Sequence, residues 1–344
     1  MKAFVLHGQR DLRAELVPTP IPGPGEVLVR VRRAGICGSD IHYFVHGRVG
    51  SFVPKRPFIL GHEIAGEVAE LGPGVDAALG GRRVAVDPSI PCGACAFCRE
   101  GRYNLCINMR FYGSASADPH VDGGFAEYVL APAANCHVLP DGIGWAQAAM
   151  TEPLSVAVHA VMRSGGVAGK SVLVTGGGAI GQLTALAARA FGASTVVLAD
   201  IAAFPRDLAV QLGADASLDA ADPDAVGQGL GLVPGGFHVV LEASGAPPAV
   251  SLAIALARRG GTIVQIGTLP AKVTAPLNTI MARELSYVGS FRFANVFGIA
   301  LDLMASGRVD VSPLVNAVMP LDEMAAAMDR AIGKDGVIKV QVEP

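Results

Sequence analysis

The chain has 344 residues, a length typical of about two domains. It is 51% hydrophobic and only 17% charged, which excludes an intrinsically disordered chain. The net charge of −3 at pH 7 provides no basic surface for nucleic acid or an anionic membrane, so we expect a small-molecule partner.

The first part of the chain, to residue 145, is predicted to be rich in β-strands. Short β-branched or alternating runs are separated by glycine- and proline-rich segments, which predicts a compact antiparallel domain resembling a barrel. The predicted strands are residues 25–33, 62–71, 82–86, 125–130 and 136–139.

From residue 146 the pattern changes to β-branched runs that alternate with helical segments. This alternation predicts a doubly wound parallel sheet that extends to residue 289. A final segment, 290–344, contains an apolar-periodic helix at 297–305 and ends on a strand at 338–342. The predicted strands of the parallel sheet are residues 172–175, 195–199, 238–242, 262–267 and 285–290.

One run without charged residues, 171–188, is long enough to suggest a membrane-spanning helix. Three consecutive glycines at 176–178 interrupt it, so we expect a short strand, a glycine turn and a helix instead. The N-terminal segment becomes polar by His7, too early for the apolar core of a signal peptide. The sequence therefore predicts a cytoplasmic protein without a membrane partner.

The glycine turn has the G-x-G-x-x-G pattern of a dinucleotide-binding unit, between the strand at 172–175 and a helical segment at 182–190. The first glycine permits the tight turn, the second lets backbone amides approach a pyrophosphate, and the third lets the helix pack on the strand. The helix N-terminus adds partial positive charge for the phosphates. The pattern therefore predicts a nucleotide cofactor.

The choice of cofactor depends on Asp200, which ends the next predicted strand. A carboxylate there accepts ribose hydroxyls and repels a 2′-phosphate, so NAD is expected rather than NADP, although the nearby Arg206 could accept that phosphate. The alternative is an ordinary glycine turn with Asp200 as a strand-end cap. The candidate cofactor-binding residues are Gly176, Gly178, Ala179, Ile180, Gly181, Asp200 and Arg206.

Four cysteines follow one another in the pattern C-x2-C-x2-C-x7-C, at Cys92, Cys95, Cys98 and Cys106. In a large chain without a secretion signal this clustering indicates a metal site in a reducing compartment, not disulfides. Four thiolates complete the tetrahedral coordination of a structural zinc ion. An iron–sulfur cluster is the alternative, but ferredoxins have a shorter last gap followed by proline, whereas Ile107 follows here.

Three further segments contain candidate ligands for a second metal: Cys37, His62 with Glu63, and Glu152. Each has an ordinary structural interpretation when taken alone. Cys37 could be a buried thiol, and Glu63 or Glu152 could be a carboxylate at a helix start or on the surface. Spacing alone does not bring the three segments together.

The order of these motifs carries a resemblance to a known family. Residues 37–40, residues 61–63, the four cysteines, residues 152–154 and the glycine turn together resemble the zinc-dependent medium-chain dehydrogenases over essentially the whole chain. Within that family the sequence is similar to the sorbitol (polyol) dehydrogenase branch, and most similar to its members that act on L-idonate. The segments that carry this closer resemblance are 39–43, 109–115, 119–125 and 289–293.

The resemblance implies a GroES-like β-barrel catalytic domain, rejoined by the C-terminal segment, and a Rossmann domain, with the active site in the cleft. It implies two zinc ions per chain: a structural ion on the four cysteines and a catalytic ion on Cys37, His62 and a carboxylate. Glu152 stands where classical alcohol dehydrogenases have a second cysteine, and either Glu63 or Glu152 could be the direct ligand. Asp40 resembles the carboxylate that orients the zinc-bound histidine.

The resemblance also implies roles around the reacting alcohol. Ser39 and His42 stand in the family's proton-relay positions, and Glu152 is a further catalytic candidate. A substrate carboxylate would need a cation, and arginine suits bidentate recognition, although each such cation could equally be an ion-pair partner within the fold. The residues expected to contact substrate are Tyr43, Arg110, His120 and Arg292.

The expected reaction is hydride transfer to NAD from a secondary alcohol of a sugar acid, L-idonate to 5-keto-D-gluconate. The first alternative is a neutral polyol such as sorbitol, xylitol or L-iditol, and a more distant one is a non-catalytic NAD(H)-binding relative. We expect a homodimer or homotetramer and no nucleic-acid partner.

Overall fold

The computed structural model describes all residues from Met1 to Pro344 and contains two compact units. The first unit is Met1–Glu152 together with Ala300–Pro344, and the second is Pro153–Ile299. No helix in either unit combines the length and apolar character needed to cross a bilayer. The uncharged run at 171–188 instead forms a strand, a glycine turn and the start of a helix, as predicted.

The strands and helices are numbered in chain order. The strands are β1 Lys2–Gly8, β2 Asp11–Leu16, β3 Glu26–Gly35, β4 Phe58–Ile59, β5 Glu63–Leu71, β6 Arg83–Val86, β7 Ser89–Ile90, β8 Arg110–Phe111, β9 Tyr128–Pro132, β10 Cys136–Val138, β11 Ser171–Thr175, β12 Thr195–Asp200, β13 Ala216–Asp219, β14 Phe237–Glu242, β15 Ala257–Gln265, β16 Ser286–Gly289, β17 Val315–Pro320 and β18 Lys339–Glu343. The helices are α1 Gly38–His46, α2 Ala96–Arg99, α3 Trp145–Ala149, α4 Thr151–Arg163, α5 Ala179–Ala190, α6 Ala203–Gln211, α7 Ala225–Leu232, α8 Pro247–Leu256, α9 Leu277–Ala282, α10 Phe297–Ala305 and α11 Met324–Gly333.

The first unit is built on a sheet in the order β10-β6-β5-β3-β18-β17, with β9 also paired to β3. All of its pairs are antiparallel except β17 with β18. Val27, Leu28, Val29 and Val31 of β3 are buried, so this central strand contributes to the core of the unit. This agrees with the antiparallel β domain that the sequence predicts.

The C-terminal strand completes this sheet beside the candidate metal ligands. In the register of β18 on β3, Gln341 pairs with Gly35 and Val342 pairs with Ala34. On its other side, β3 pairs Gly35 with Glu63 of β5. Two strands that are remote in sequence therefore flank the end of β3, immediately before Cys37.

The second unit is a parallel sheet in the order β13-β12-β11-β14-β15-β16, which confirms the predicted doubly wound arrangement. Every residue of β11 is buried, as expected where helices cover both faces of a parallel sheet. The chain moves outward from β11 in one direction and then returns to β14, so the topological switch point lies between β11 and β14.

Two features of the first unit differ from the sequence-based expectations. The hairpin of β1 and β2 was not predicted, because β2 (Asp11–Leu16) is rich in charge and mostly unburied, and is defined by its pairing with β1. The strand predicted at 125–130 begins at Tyr128. Before it, Ala126 forms an isolated bridge with Ala3, while Phe125 O accepts the Phe4 amide at 2.8 Å and the Phe125 amide donates to Leu60 O at 3.0 Å.

Candidate active site

The four predicted cysteines come together in one lobe of the first unit. Their sulfur atoms all lie within 4.8 Å of one another, and Cys95 Sγ is 3.5 Å from Cys98 Sγ. Zinc–sulfur bonds of about 2.3 Å in a tetrahedron give sulfur–sulfur separations of about 3.8 Å, so the spacing suits one zinc ion. Hydrogen bonds from the backbone amides of Ala94 and Cys95 lower the pKa of Cys92 to about 6. A thiolate is the form that binds metal.

This lobe has little apolar core of its own. Its buried cluster contains Cys106, Met109 and Phe111, and Tyr103 packs against them. None of the chain's cysteines forms a disulfide. A segment with so small a core needs a further cross-link, which is what a structural metal provides.

The second set of predicted ligands comes together at the end of β3. The Sγ of Cys37, a ring nitrogen of His62 and a carboxylate oxygen of Glu63 all lie within 4.8 Å of one another. Cys37 directly precedes α1, while His62 and Glu63 lie at the start of β5. His62 and Glu63 are buried. A sulfur, a nitrogen and an oxygen donor form a set that suits zinc.

Asp40 contacts the residues that carry this cluster. Its carboxylate is fully buried and accepts hydrogen bonds from the Cys37 amide at 2.9 Å and the Gly61 amide at 3.2 Å. It also lies 3.8 Å from His62 Nδ1, a buried atom without a hydrogen-bond partner. Nδ1 therefore faces Asp40, which leaves Nε2 as the ring nitrogen available to a metal ion.

The cluster contains several buried acidic groups, and their charge favours a bound cation. Burial lowers the pKa of His62, but the negative charges of Asp40 and Cys37 outweigh burial and raise it to about 10. Burial, together with the charge of Glu63, raises the pKa of Glu152 to about 7 against the opposing effect of His62. Several anionic groups in a desolvated space favour a bound proton or a metal ion.

Lys339 distinguishes the two candidate carboxylate ligands. Its ammonium group is buried and donates to Glu63 Oε1 at 2.6 Å, to Oε2 at 2.9 Å and to the Ile36 carbonyl at 3.2 Å. A Cβ on Gly35 would lie 1.8 Å from Glu63 Oε2, so only glycine leaves room for this carboxylate. Glu63 therefore lies within the ligand set with its charge already paired, whereas Glu152 lies outside that set.

Lys339 was not among the predicted site residues, although the sequence around it carries a signal. Lys339 lies in the terminal strand predicted at 338–342 and begins β18, in which Val340, Gln341 and Val342 are all buried. A lysine at a buried strand position is rare unless its charge is paired. That position therefore indicated a buried acidic partner, although not its identity.

The proposed proton-relay residues both lie on α1. Ser39 is half-buried and His42 is exposed, and residues three apart share one face of a helix. Partial burial, His46 and Lys334 lower the pKa of His42, and the His42 and His46 rings are 5.3 Å apart. His42 is thus placed where it can exchange protons with solvent.

Three residues predicted to contact substrate lie elsewhere in the first unit. Tyr43 is buried in the core, and its hydroxyl accepts the Ala115 amide at 3.0 Å. Arg110 and His120 line a separate cavity of about 580 Å³, whose lining includes none of the candidate ligands of the second metal. His120 is also engaged, because Nε2 accepts the Lys55 amide at 2.9 Å. These residues stay predicted substrate contacts, and none of them belongs to the set of mutually close metal-ligand atoms.

The loops that carry the closer resemblance nevertheless pack on the metal cluster. Phe111 lies against His62, with ring centroids 5.6 Å apart. A Cβ on Gly113 would lie 2.7 Å from the Gly61 amide nitrogen, and a Cβ on Gly123 would lie 2.1 Å from the Gly61 carbonyl oxygen. These two glycines therefore let both loops press on the backbone that carries His62. Phe111 is a site residue that sequence reasoning did not single out.

In the second unit, the glycine turn has the geometry expected of a phosphate cradle. Gly176 has a φ of +92°, and its Cβ would lie 2.7 Å from the backbone of Ser244. A Cβ on Gly181 would lie 1.7 Å from the Gly176 carbonyl oxygen, so helix α5 packs tightly on the turn. A Cβ on Gly178 meets nothing within 4 Å, so this side of the turn is open. Ala179 and Ile180 begin α5 there, with their amides at the helix N-terminus.

The residues expected to choose the cofactor lie beside this turn. Asp200 accepts the Gly177 amide at 2.6 Å and the Ala202 amide at 2.8 Å. The guanidinium of Arg206 is paired with Asp219 at 2.5 Å. Arg292, also in this unit, has a φ of 50° and lies over the ring of Phe291 at 5.1 Å. Of these side chains, Asp200 is the one that contacts the glycine turn directly.

Comparison with known proteins agrees with the fold of both units. Residues 23–141 match the model of the alcohol dehydrogenase GroES-like domain, and residues 179–306 match that of zinc-binding dehydrogenases. The chain is 38% identical to sorbitol dehydrogenase of Bacillus subtilis, with 100% of this chain and 97% of the relative covered.

Solved structures give the same assignment. L-idonate 5-dehydrogenase of Escherichia coli is 35% identical with a TM-score of 0.91, covering 100% of this chain and 98% of that one. A zinc-binding dehydrogenase of Sinorhizobium meliloti bound to NADP is 39% identical with a TM-score of 0.91, covering 100% of this chain and 99% of that one. The chain therefore belongs to the zinc-dependent medium-chain alcohol and polyol dehydrogenases, with a GroES-like domain and a Rossmann domain.

Proposed function

We propose that this enzyme oxidises a secondary alcohol of a sugar acid with NAD, converting L-idonate to 5-keto-D-gluconate. The observation that carries the proposal is the packing of the loops at 109–115 and 119–125 on the segment that holds His62. These loops carry the sequence resemblance to dehydrogenases that act on L-idonate, and a solved relative has that activity in its name. They are therefore suited to shape the space beside the metal.

We assign the catalytic metal to Cys37, His62 and Glu63, with Glu152 beside them. Glu63 is the preferred direct oxygen ligand because it lies within the set of mutually close donor atoms. Glu152, outside that set, is assigned to the substrate hydroxyl or to exchange with Glu63. The four cysteines hold the second, structural ion.

The bound groups supply the chemistry that the side chains lack: zinc is a Lewis acid that polarises an alcohol, and NAD accepts the hydride. The protein's part is to position these groups and to move a proton. Asp40 keeps Nδ1 of His62 turned towards itself, which fixes the ring for coordination. Ser39 and His42, on one face of α1, are assigned to carry the alcohol's proton to solvent.

The proposed preference for NAD over NADP rests on Asp200 and on Arg206, which is already ion-paired with Asp219. A 2′-phosphate would approach the Asp200 carboxylate and would need Arg206 to leave its partner Asp219. The Sinorhizobium relative binds NADP, so both cofactors belong in the test.

The second candidate function is oxidation of a neutral polyol such as sorbitol, xylitol or L-iditol. The sorbitol dehydrogenase relatives favour this function. So does the position of Arg110 and His120: they line a separate cavity, so neither would contact the carboxylate of a substrate bound at the metal. A non-catalytic NAD(H)-binding role is a third reading, and it predicts one zinc ion per chain instead of two.

The test is a comparison of matched substrates on zinc-replete protein. Initial rates of NADH or NADPH formation are measured with L-idonate and with L-iditol, which differ only in the carboxylate. The proposal predicts a higher kcat/KM for L-idonate with NAD. An equal or higher value for L-iditol would establish the neutral-polyol function instead.

We also propose a cytoplasmic homodimer or homotetramer. The free state of all the cysteines is compatible with a reducing compartment. The edge strand β16 and the exposed Leu277 and Met281 of the second unit give a surface on which two copies could pair. Light scattering on the purified protein measures the assembly directly.

A further inference from the structure

A fully buried carboxylate lies beside the glycine turn of the second unit. Glu242 ends β14, next to β11 in the sheet, and none of its surface is exposed. It accepts hydrogen bonds from the Ser244 amide at 2.8 Å and the Gly245 amide at 3.1 Å. It also accepts hydrogen bonds from the side chains of Ser244, Gln265 and Thr175.

All of these donors are neutral, and no cation is among them. A buried charge is costly unless it is both hydrogen-bonded and paired with an opposite charge. Here the hydrogen bonds are in place and the opposite charge is missing from the protein. This arrangement is suited to a positive charge that arrives with a ligand.

Two glycines lie close to Glu242 at the carboxyl ends of β14 and β15. A Cβ on Gly267 would lie 3.0 Å from Glu242 Oε2 and 2.2 Å from the Gly245 amide nitrogen. A Cβ on Gly245 would lie 2.5 Å from the Thr268 carbonyl oxygen. The loops after β14 and β15 therefore form a thin layer over the carboxylate, with no room for a side chain in between.

The sheet order places one end of a dinucleotide over this layer. Asp200 ends β12, on one side of the switch point, and is assigned to the adenosine ribose. A dinucleotide lies across the switch point, so its other nucleotide extends over the ends of β14 and β15. In NAD⁺ that nucleotide carries the positively charged nicotinamide ring, which becomes neutral in NADH.

We propose that Glu242 lowers the dissociation constant of NAD⁺ relative to that of NADH, because its uncompensated charge stabilises the nicotinamide ring of NAD⁺ and not that of NADH. The inference rests on the proposed use of NAD. The pyrophosphate and the adenosine are common to the two cofactors, so their interactions cancel in the ratio of the two dissociation constants. That ratio isolates the effect of Glu242 on the ring.

The experiment measures equilibrium binding of both cofactors to the zinc-loaded protein without substrate. NADH is titrated by its fluorescence, and NAD⁺ by competition with NADH. For Glu242→Gln, the NAD⁺ constant divided by the NADH constant should rise about three- to tenfold, the size expected of one partly screened interior charge. An unchanged ratio, including equal weakening of both cofactors, would overturn the proposal.

Two further variants separate charge from structure. Ser244→Ala removes a hydrogen bond to Glu242 but keeps its charge, so the ratio should stay as in the wild type. Gln265→Lys places a cation beside the carboxylate, so the ratio should rise even if Glu242→Gln fails to fold. Absence of any NAD(H) binding by the wild type would overturn the proposed cofactor as well, whereas binding with an unshifted ratio overturns this inference alone.

Discussion

The two metal clusters of the first unit are built in opposite ways. The four-cysteine lobe draws its ligands, Cys92 to Cys106, from one short stretch and holds them around a very small apolar core. The other cluster combines Cys37, two residues after β3, with His62 and Glu63 at the start of β5, and Glu152 of α4 interacts with it electrostatically from outside the set of close donor atoms. The first is a local cross-link, whereas the second depends on the register of the sheet, in which Gly35 pairs with Glu63.

The electrostatics of the clusters differ in the same way. The ligands of the lobe are cysteines alone, and Cys92 is exposed. The second cluster is buried together with Asp40, Glu63, Glu152 and Lys339. Metal in the lobe should therefore contribute to stability, while metal in the second cluster should contribute to chemistry.

The largest expected effect comes from removing one sulfur from each cluster in turn. Cys37→Ser should lower kcat by about 10³-fold or more, because the Lewis acid supplies several kcal/mol to the reaction. Cys98→Ser should lower the thermal midpoint while the folded fraction keeps kcat within a few-fold of the wild type. Zinc content, kcat and thermal unfolding are measured on both variants. If Cys98→Ser lost as much activity as Cys37→Ser and kept the stability of the wild type, the assignment of the lobe to stability would be contradicted.

Lys339→Met should destabilise the metal-free enzyme strongly. It leaves Glu63 buried without its cation, and breaking a buried pair costs about 3–5 kcal/mol. Zinc supplies replacement charge, so the loss should be smaller in the loaded protein. Denaturant unfolding with and without a chelator measures both values. The double variant Glu63→Gln with Lys339→Met is the control, and it should recover part of the loss; no recovery would argue against charge as the cause.

Asp40→Asn should weaken zinc at the second cluster by about 10- to 100-fold and leave the lobe unaffected. The amide retains the shape of Asp40 but loses the charge that faces His62 Nδ1. Competition with a chromogenic chelator reports the two sites separately. Loss of zinc from both sites to the same degree would indicate general misfolding instead.

The smallest expected effect concerns pH. The pKa of Glu152 is raised to about 7, so its carboxyl is charged above that pH and neutral below it. The advantage of the wild type over Glu152→Gln in zinc affinity should therefore be present at about pH 8 and fall by roughly tenfold towards pH 6. Glu70→Gln, on the exposed part of β5, is the matched control and should show no such change. If the ratio of wild-type to Glu152→Gln zinc affinity did not change with pH, Glu152 would not contribute its charge to the metal site.

The contrast between the clusters also explains what the sequence could predict. Cys92 to Cys106 and the glycine turn are local patterns, so spacing was sufficient to propose their geometry. Cys37, His62 and the carboxylates required family resemblance, because only the fold brings β3, β5 and α4 together. Both the α/β fold class and the family are confirmed.

Side-chain direction is what the sequence could not predict. Tyr43 lies next to relay candidates in the sequence, but on α1 it points into the core and its hydroxyl is engaged by Ala115. Arg110 belongs to a segment that resembles polyol enzymes, yet it is the neighbouring Phe111 that contacts His62. Adjacent strand residues point to opposite faces, so a shift of one position changes which residue reaches the site.

The most direct test of this account is X-ray diffraction from crystals of the zinc-loaded enzyme, with anomalous data collected at the zinc absorption edge. Two peaks per chain are predicted, one among the four cysteine sulfurs and one bounded by Cys37, His62 and the carboxylate of Glu63 or Glu152. A single peak in the cysteine lobe, with no zinc at Cys37, would contradict the account.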